Sequence, residues 1–130
     1  MSDSELRDRY RRYLDCLNAR RFDALGEFVG DAVIHNDRPL GLAGYQAMLR
    51  DDVATFPDLR FEVGLLVVDA AHVAARLDFR VTPVRPFRGF APNGRAVAFS
   101  EHVFYRYEAG RIARVWSLID DTALARQLGH

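Results

Sequence analysis

Residues 95–120 read RAVAFSEHVFYRYEAGRIARVWSLID, and this stretch decides the fold. It contains two strand-like runs, residues 95–107 and 111–119, separated by a short polar break at residues 108–110. β-Branched and aromatic residues dominate both runs, as is typical of strands. The pattern predicts a β-hairpin whose second strand ends at the carboxylate of Asp120.

Upstream of this hairpin, apolar residues recur with a period of two. Residues 61–67 and 73–81 alternate in this way, and Arg76, Asp78 and Arg80 occupy the polar positions of the second run. The alternation predicts two more strands, each with one face toward the core. A loop rich in Pro, Gly and Arg is predicted between these strands and the hairpin.

The N-terminal half has a helical period instead. Residues 3–19, 22–29 and 43–55 each place apolar side chains on one face and predict three helices, with a short strand at residues 32–35. A helical tail is predicted at residues 122–128. Helices followed by an antiparallel sheet predict an α+β fold, with the helices packed on one face of a curved sheet.

The composition excludes several classes of protein. The 130 residues carry 18 basic and 18 acidic side chains, so no net field favours nucleic acid or an anionic membrane. All the basic residues are Arg, which excludes Schiff-base chemistry on a lysine and a Walker-type phosphate loop. The single cysteine, Cys16, excludes an internal disulfide. The polar N-terminus and the lack of a long apolar run predict neither a secretion signal nor a membrane span, and hence a cytoplasmic protein.

Four motifs follow one another along the chain: Asp31-Ala32-Val33-Ile34-His35, Phe56-Pro57-Asp58-Leu59-Arg60, Phe87-Arg88-Gly89-Phe90-Ala91-Pro92-Asn93-Gly94-Arg95 and Trp116-Ser117-Leu118-Ile119-Asp120. These motifs and the order of the elements resemble the NTF2-like superfamily and, within it, the SnoaL-like polyketide cyclase family. The resemblance covers nearly the whole chain and implies a single domain over residues 1–130, shaped as a cone around a pocket. Isomerases, cyclases, dehydratases and inert binders all share this fold, so the resemblance predicts the fold more strongly than the activity.

Asp120 matches the acid/base position of the family's cyclases, four residues after Trp116. A carboxyl at the end of an apolar strand loses hydration, which raises its pKa and suits it to proton transfer next to a carbonyl. The alternative is that Asp120, or its neighbour Asp121, caps the tail helix. If Asp120 is catalytic, Asp120→Asn abolishes turnover with the fold intact; if it is a cap, activity persists and removal of the cap lowers stability.

Further candidates come from the first helix and the first strand. His35 ends the short strand, where the resemblance places a residue at the rim of the pocket, and histidine titrates near neutral pH. Tyr13 matches the phenol that donates to an enolate in related isomerases, although it also belongs to an apolar helix stripe. Asn36 occupies the position of the base in those isomerases, and an amide cannot act as a base. Tyr45 faces inward on the third helix and is a candidate for binding substrate.

Glu101 and His102 are titratable residues within an apolar strand. Successive strand residues point to opposite faces, so only one of them can face a cavity. We favour His102 as a catalytic residue and keep Glu101 as the alternative.

Three arginines, Arg85, Arg88 and Arg95, lie in the loop before the hairpin. They suit either an acidic or carbonyl-rich substrate or a solvated loop edge. The four histidines show no metal-ligand spacing, so we predict no metal site and no cofactor.

These observations favour a cofactor-free enzyme that transfers protons on a small hydrophobic carbonyl compound in an enclosed pocket. Asp120 would be the acid/base group, and Trp116, Phe79 and Phe99 would form apolar walls. A non-catalytic ligand-binding or interaction module is the alternative. A buried group with a raised pKa in the cavity favours the enzyme, and an all-apolar cavity with Asp120 as a cap favours the binder. Exposed apolar residues on the sheet, such as Phe104, further predict a homodimer formed through it.

Overall fold

The computed structural model describes residues 1–129. Within that part of the chain, three α-helices and one 3₁₀ helix accompany five strands. Their bounds are α1 Asp3–Asn18, the 3₁₀ helix Phe22–Glu27, β1 Val29–His35, α2 Gly41–Thr55, β2 Glu62–Asp69, β3 His72–Val81, β4 Val97–Glu108, β5 Arg111–Ile119 and α3 Asp121–Leu128.

The five strands form one sheet in the order β1-β5-β4-β3-β2. Neighbouring strands from β2 to β5 pair antiparallel, and β1 joins the edge of β5 in parallel. The predicted α+β class is confirmed. The sheet is mixed because β1 runs in the same direction as β5.

Strand β1 is longer than the sequence predicted. It begins at Val29 rather than at Ala32, and Gly30 lies within it instead of ending a helix. Val29 is fully buried and pairs with Ile112 of β5. This long-range pairing extends the strand beyond the segment that local periodicity identified.

The hairpin between β4 and β5 turns at two residues with positive φ, Ala109 at 51° and Gly110 at 78°. Two successive left-handed residues match the twist of the flanking strands, which is why such turns join hairpins. Arg9 of α1 donates to the carbonyl of Gly110 at 2.5 Å and ties the first helix to this turn.

Strand alternation separates the two faces of the sheet. On β4, Phe99, Val103 and Tyr105 are buried beneath the helices, whereas Phe104 is 56% exposed. The pairing of Phe104 with Trp116 places that tryptophan on the outer face too. The inner face therefore carries the core and the outer face remains open to solvent.

Helix α1 starts at a capping box. The Ser2 hydroxyl accepts from the Glu5 backbone, and the Glu5 carboxylate accepts from the Ser2 backbone. The predicted apolar stripe then packs on the sheet with Leu6, Tyr10 and Tyr13 buried. None of the helices in residues 1–129 is both long and apolar enough to cross a membrane.

Candidate active site

A cavity of about 400 Å³ lies among α1, α2, the loop before β4 and the inner face of the sheet. Polar groups and aromatic rings both contribute to its wall. Because every strand except β2 and both long helices supply lining residues, the cavity forms only when the chain is folded.

Phenylalanines form the apolar wall of the cavity. Phe56 lies 4.7 Å from Phe87, Phe79 lies 5.3 Å from Phe99, and Phe61 lies 5.6 Å from Phe79, measured between ring centroids. These separations and the tilted or edge-to-face geometries are the favourable ones for aromatic pairs. Phe79 and Phe99, predicted from the sequence as apolar walls, both line the cavity.

Tyrosines supply hydroxyl groups to the interior. The hydroxyls of Tyr13 and Tyr45 are 2.7 Å apart, and Tyr10 donates to Tyr105 at 3.4 Å. Burial raises the pKa of each of these phenols well above its ordinary value. They therefore keep their protons and can donate hydrogen bonds. Tyr13 and Tyr45, both predicted to contact substrate, line the cavity.

Glu101 projects from β4 into this cavity. Burial raises the pKa of its carboxyl, and a hydrogen bond from the Ser117 hydroxyl lowers it in part. Asn36 holds Ser117 in place, because its amide accepts from the Ser117 backbone at 2.7 Å and donates to the Ser117 carbonyl at 3.1 Å. The Asn36 side chain thus pairs with the backbone of Ser117 as a neighbouring strand would, and the Ser117 hydroxyl orients Glu101.

Asp52 is a second acid in the cavity wall, and the sequence analysis missed it. Burial and the charge of Glu101 raise the pKa of Asp52 to about 7. A signal was present, since Tyr45, Met48, Asp52 and Phe56 follow the spacing of one helix face. An acid on an otherwise apolar face is the pattern that indicates a functional residue.

His35 lines the cavity at the end of β1. Its ring lies 6.1 Å from that of Tyr45, edge to face. Burial, with the nearby Arg38 cation, lowers the pKa of the imidazole. His35 is therefore neutral at pH 7 and can donate or accept a hydrogen bond.

Asp120, predicted as the acid/base group, is instead the N-cap of α3. Its carboxylate accepts from the Ala123 backbone at 3.1 Å. Asp120 follows the last residue of β5 and is not part of the cavity wall. The neighbouring Asp121 binds Arg88 through two hydrogen bonds of 2.5 and 2.7 Å.

His102 and Trp116, also predicted as site residues, lie on the outer face. His102 is exposed and pairs with Leu118, and Trp116 pairs with Phe104. Arg114 lies over the indole at 5.1 Å. The sequence left Glu101 and His102 as alternatives, and the side that the helices cover selects Glu101.

The three loop arginines have different surroundings. Arg85 binds the Thr55 hydroxyl at 2.8 Å and the carboxylate of Asp51, which fastens the loop to α2. Arg88 lines the cavity while paired with Asp121, and Arg95 is exposed. Within residues 1–129, no three histidine, cysteine or acidic side chains converge as metal ligands.

Solved structures resemble this one along its whole length. A SnoaL-like polyketide cyclase from Agrobacterium tumefaciens is 53% identical, with a TM-score of 0.93 and 98% of each chain covered. TsrD from Streptomyces laurentii is 25% identical, with a TM-score of 0.85 and coverage of 99% and 98%. IdmH from Streptomyces antibioticus, at 23% identity and a TM-score of 0.82, covers 96% of this chain and 99% of its own, and it shares the fold. None of the curated proteins compared matches the sequence.

The helices, the mixed sheet and the cavity between them define an NTF2-like protein. The model of the SnoaL-like polyketide cyclases matches residues 7–128. The chain belongs to that family.

Proposed function

We propose that this protein is a cofactor-independent enzyme that removes and returns a proton next to a carbonyl group of a small hydrophobic molecule. Cyclisation of the aldol type, or isomerisation, is the corresponding overall reaction. Glu101 is the acid/base group, in place of Asp120.

One observation carries the proposal: a half-buried carboxyl, Glu101, is oriented by a hydroxyl inside a cavity with an aromatic wall. A base that works at neutral pH needs a pKa above that of an ordinary carboxyl, and burial supplies that increase here. The cavity is not purely apolar, which favours the enzyme over the binding module even though Asp120 is a cap.

The surrounding groups suit an enolate intermediate. Removal of a proton from the carbon beside a carbonyl leaves negative charge on the carbonyl oxygen. One phenol of the Tyr13–Tyr45 pair donates to the other, so the proton of the second phenol can be donated to that oxygen, and neutral His35 can help to orient it. The phenylalanine wall excludes water and binds the apolar part of the substrate.

Hydrogen–deuterium exchange on a model ketone tests this chemistry without knowledge of the substrate. We would incubate α-tetralone, an aromatic ketone with enolisable protons, with the protein in D₂O and follow loss of its C2 proton signals by NMR. We expect exchange faster than in buffer, and Glu101→Gln to slow it by about 10²–10⁴-fold, the usual contribution of a general base. Glu108→Gln is the matched control, because Glu108 lies on the same strand and is exposed.

The same assay decides whether Glu101 or Asp120 is the base. The Asp120→Asn variant should catalyse exchange at the wild-type rate, because asparagine preserves the helix cap and the proposed base, Glu101, is unchanged. Loss of exchange in Asp120→Asn with normal exchange in Glu101→Gln would refute our assignment of the base. Binding of the ketone without any exchange would support the non-catalytic module instead.

We further propose that the protein is a homodimer joined through the outer face of the sheet. Leu65, Val67, Phe104 and Leu118 are 62%, 53%, 56% and 70% exposed, respectively. Strand pairing places them in two neighbouring rows across the sheet. One row runs from Val67 through Ala74 to Phe104, and the other runs from Leu65 through Arg76 and His102 to Leu118. Such an apolar surface is typical of a protein interface.

Light scattering at micromolar concentration checks the dimer. We expect twice the chain mass for the wild type and a monomer for Phe104→Glu. Val84→Glu is the control, since Val84 is 59% exposed but lies in the loop rather than on the sheet. A monomeric wild type would contradict the proposal. The cytoplasmic location and the lack of a cofactor stay predictions from the sequence.

A further inference from the structure

Asp52 projects into the cavity from the helical side, facing the sheet that carries Glu101. It lies in the last turn and a half of α2, on the same helix face as Met48 and Phe56. Its neighbour Asp51 is exposed and binds Arg85 of the loop. Two adjacent acids of one helix therefore have different tasks, since Asp51 fastens the loop and Asp52 faces the cavity.

The two arginines near Asp52 are paired with other carboxylates. Glu101 of β4 and Asp51 of α2 raise its pKa, and Arg85 lowers it. Arg85, however, is engaged by Thr55 and Asp51. Arg88, the other arginine at the cavity, is held by Asp121. The remaining titratable groups in the wall are the neutral His35 and the protonated phenols Tyr13, Tyr45 and Tyr105.

Two carboxyls in one poorly hydrated cavity do not both ionise readily, because like charges repel strongly where water is excluded. The Ser117 hydroxyl donates to Glu101 and stabilises its charged form. The negative charge of Glu101 disfavours ionisation of Asp52 and so raises the pKa of Asp52. The single proton of the pair is therefore expected on Asp52, with Glu101 ionised.

We propose that Asp52 is the second catalytic group of this cavity, a general acid that acts on the substrate oxygen while Glu101 acts as the base on carbon. This inference rests on the function proposed above. It assigns the two proton transfers to opposite sides of the cavity, one on the helix and one on the sheet.

The transfers balance in an aldol closure. Glu101 takes the proton from the carbon beside one carbonyl, and the electron pair of that C–H bond forms the new C–C bond to a second carbonyl carbon. The π electrons of the second carbonyl move to its oxygen, which takes the proton of Asp52. Glu101 ends protonated and Asp52 ionised, and return of one proton through water restores the pair. In the exchange of a ketone, Glu101 takes the C2 proton while Asp52 protonates the carbonyl oxygen. Glu101 then exchanges its proton with D₂O and returns a deuteron to carbon, and Asp52 recovers its proton from the enol oxygen.

Carboxyl titration by ¹³C NMR, without any substrate, tests the pairing. Signals are assigned with Asp52→Asn and Glu101→Gln. We expect the Asp52 carboxyl to titrate near neutral pH in the wild type and at lower pH in Glu101→Gln, because the repelling charge is removed. An Asp52 that titrates as an ordinary aspartate, or that does not respond to Glu101→Gln, would overturn the pairing.

Exchange of α-tetralone tests the catalytic role. Asp52→Asn should slow exchange by about 10²–10⁴-fold and remove the fall in rate as the pH rises through the pKa of the acid. Asp8→Asn, an exposed change on α1, is the control. Wild-type exchange with an unchanged pH profile in Asp52→Asn would refute the role of Asp52 and leave Glu101 as the base. A wild-type protein that exchanges nothing would refute the proposed function and the catalytic role together.

Discussion

Two pairs of acidic residues in this chain have opposite surroundings. Asp52 and Glu101 are distant in sequence and share a cavity, where burial raises both pKa values. Asp120 and Asp121 are adjacent, and each already has a partner. Asp120 caps a helix, and Arg88 holds the pKa of Asp121 below its usual value.

The difference shows how a carboxyl is tuned for proton transfer. An arginine partner, as at Asp121, stabilises the ionised form and lowers the pKa of the acid. Partial burial in a cavity beside a second acid destabilises that form and moves the pKa toward neutral pH. Position at the end of a strand is therefore a weaker indicator of catalysis than the partners of the carboxyl.

The largest effect is expected when the hydroxyl that donates to Glu101 is removed, because this change moves the pKa of Glu101 further from that of Asp121. Ser117→Ala deletes the donor to Glu101, so the pKa of the acid rises further. Because hydrogen bonds to charged groups contribute about 1.5–3 kcal/mol, the exchange activity should begin about 1–2 pH units higher. The pH–rate profile with α-tetralone measures this shift.

Ser100→Ala is the matched control for that change. Ser100 also lies in a strand and donates to a carboxylate, that of Asp78, at 2.8 Å, but it is not part of the cavity wall. Its pH–rate profile should match that of the wild type. An unshifted profile in Ser117→Ala would show that the hydroxyl does not tune the base.

Truncation of Asp120 should affect stability alone. Asp120→Ala leaves the Ala123 backbone donor without its partner, and loss of an N-cap costs about 0.5–2 kcal/mol. Urea unfolding measures this cost. The free energy of unfolding of Asp120→Asn, which preserves the cap, should differ from that of the wild type by only about a few tenths of a kcal/mol. Equal stability of the Ala and wild-type proteins would contradict the cap role.

The pH dependence of stability should distinguish the two pairs. Asp52 has a pKa of about 7 in the folded protein, above its value of about 4 when unfolded. Between those values the folded state binds more protons, so stability falls as the pH rises. Asp52→Asn removes this loss, and its melting temperature should exceed that of the wild type by a few degrees at pH 8 but not at pH 4.

Thermal unfolding at several pH values checks this sign. Asp8→Asn is the control, and its difference from the wild type should stay constant between pH 4 and pH 8. A constant difference for Asp52→Asn would show that burial does not perturb this carboxyl.

The smallest effect is expected at Asp121. Its pKa is lowered by Arg88, so the stabilisation by this pair is present at neutral pH and is lost as the pH falls through the lowered value. Because the carboxylate is exposed, salt should screen the pair. Asp121→Asn should lower the melting temperature slightly in dilute buffer and less in high salt. A pH-independent change would contradict this account.

Most of the fold was predictable because the signals are local. The alternation in β2 and β3 predicted two strands, and the apolar stripe of α1 predicted a helix packed on the sheet. The start of β1 was missed because Val29 joins the strand through Ile112, more than eighty positions away in the chain. Strand pairing of that kind leaves no periodic signal in the segment itself.

The site was only partly predictable. Five residues that the sequence analysis named as site candidates line the cavity: Tyr13, His35, Tyr45, Phe79 and Phe99. Their catalytic or binding roles stay predictions. The choice between Glu101 and His102 required knowledge of the side on which the helices pack. Strand parity alone states that the two residues point apart, but not which one is covered.

The sequence by itself determined the α+β class, the order of the elements and the lack of lysine chemistry, because composition and periodicity are properties of the chain. Only the tertiary structure decided which carboxyls lose water and which gain a partner. Helices α1 and α2 cover one face of the sheet, and this covering brings Asp52 toward Glu101 and leaves Asp120 to cap α3. Since hydration and nearby charge fix the pKa of an acid, its chemistry depends on neighbours that the linear sequence does not place.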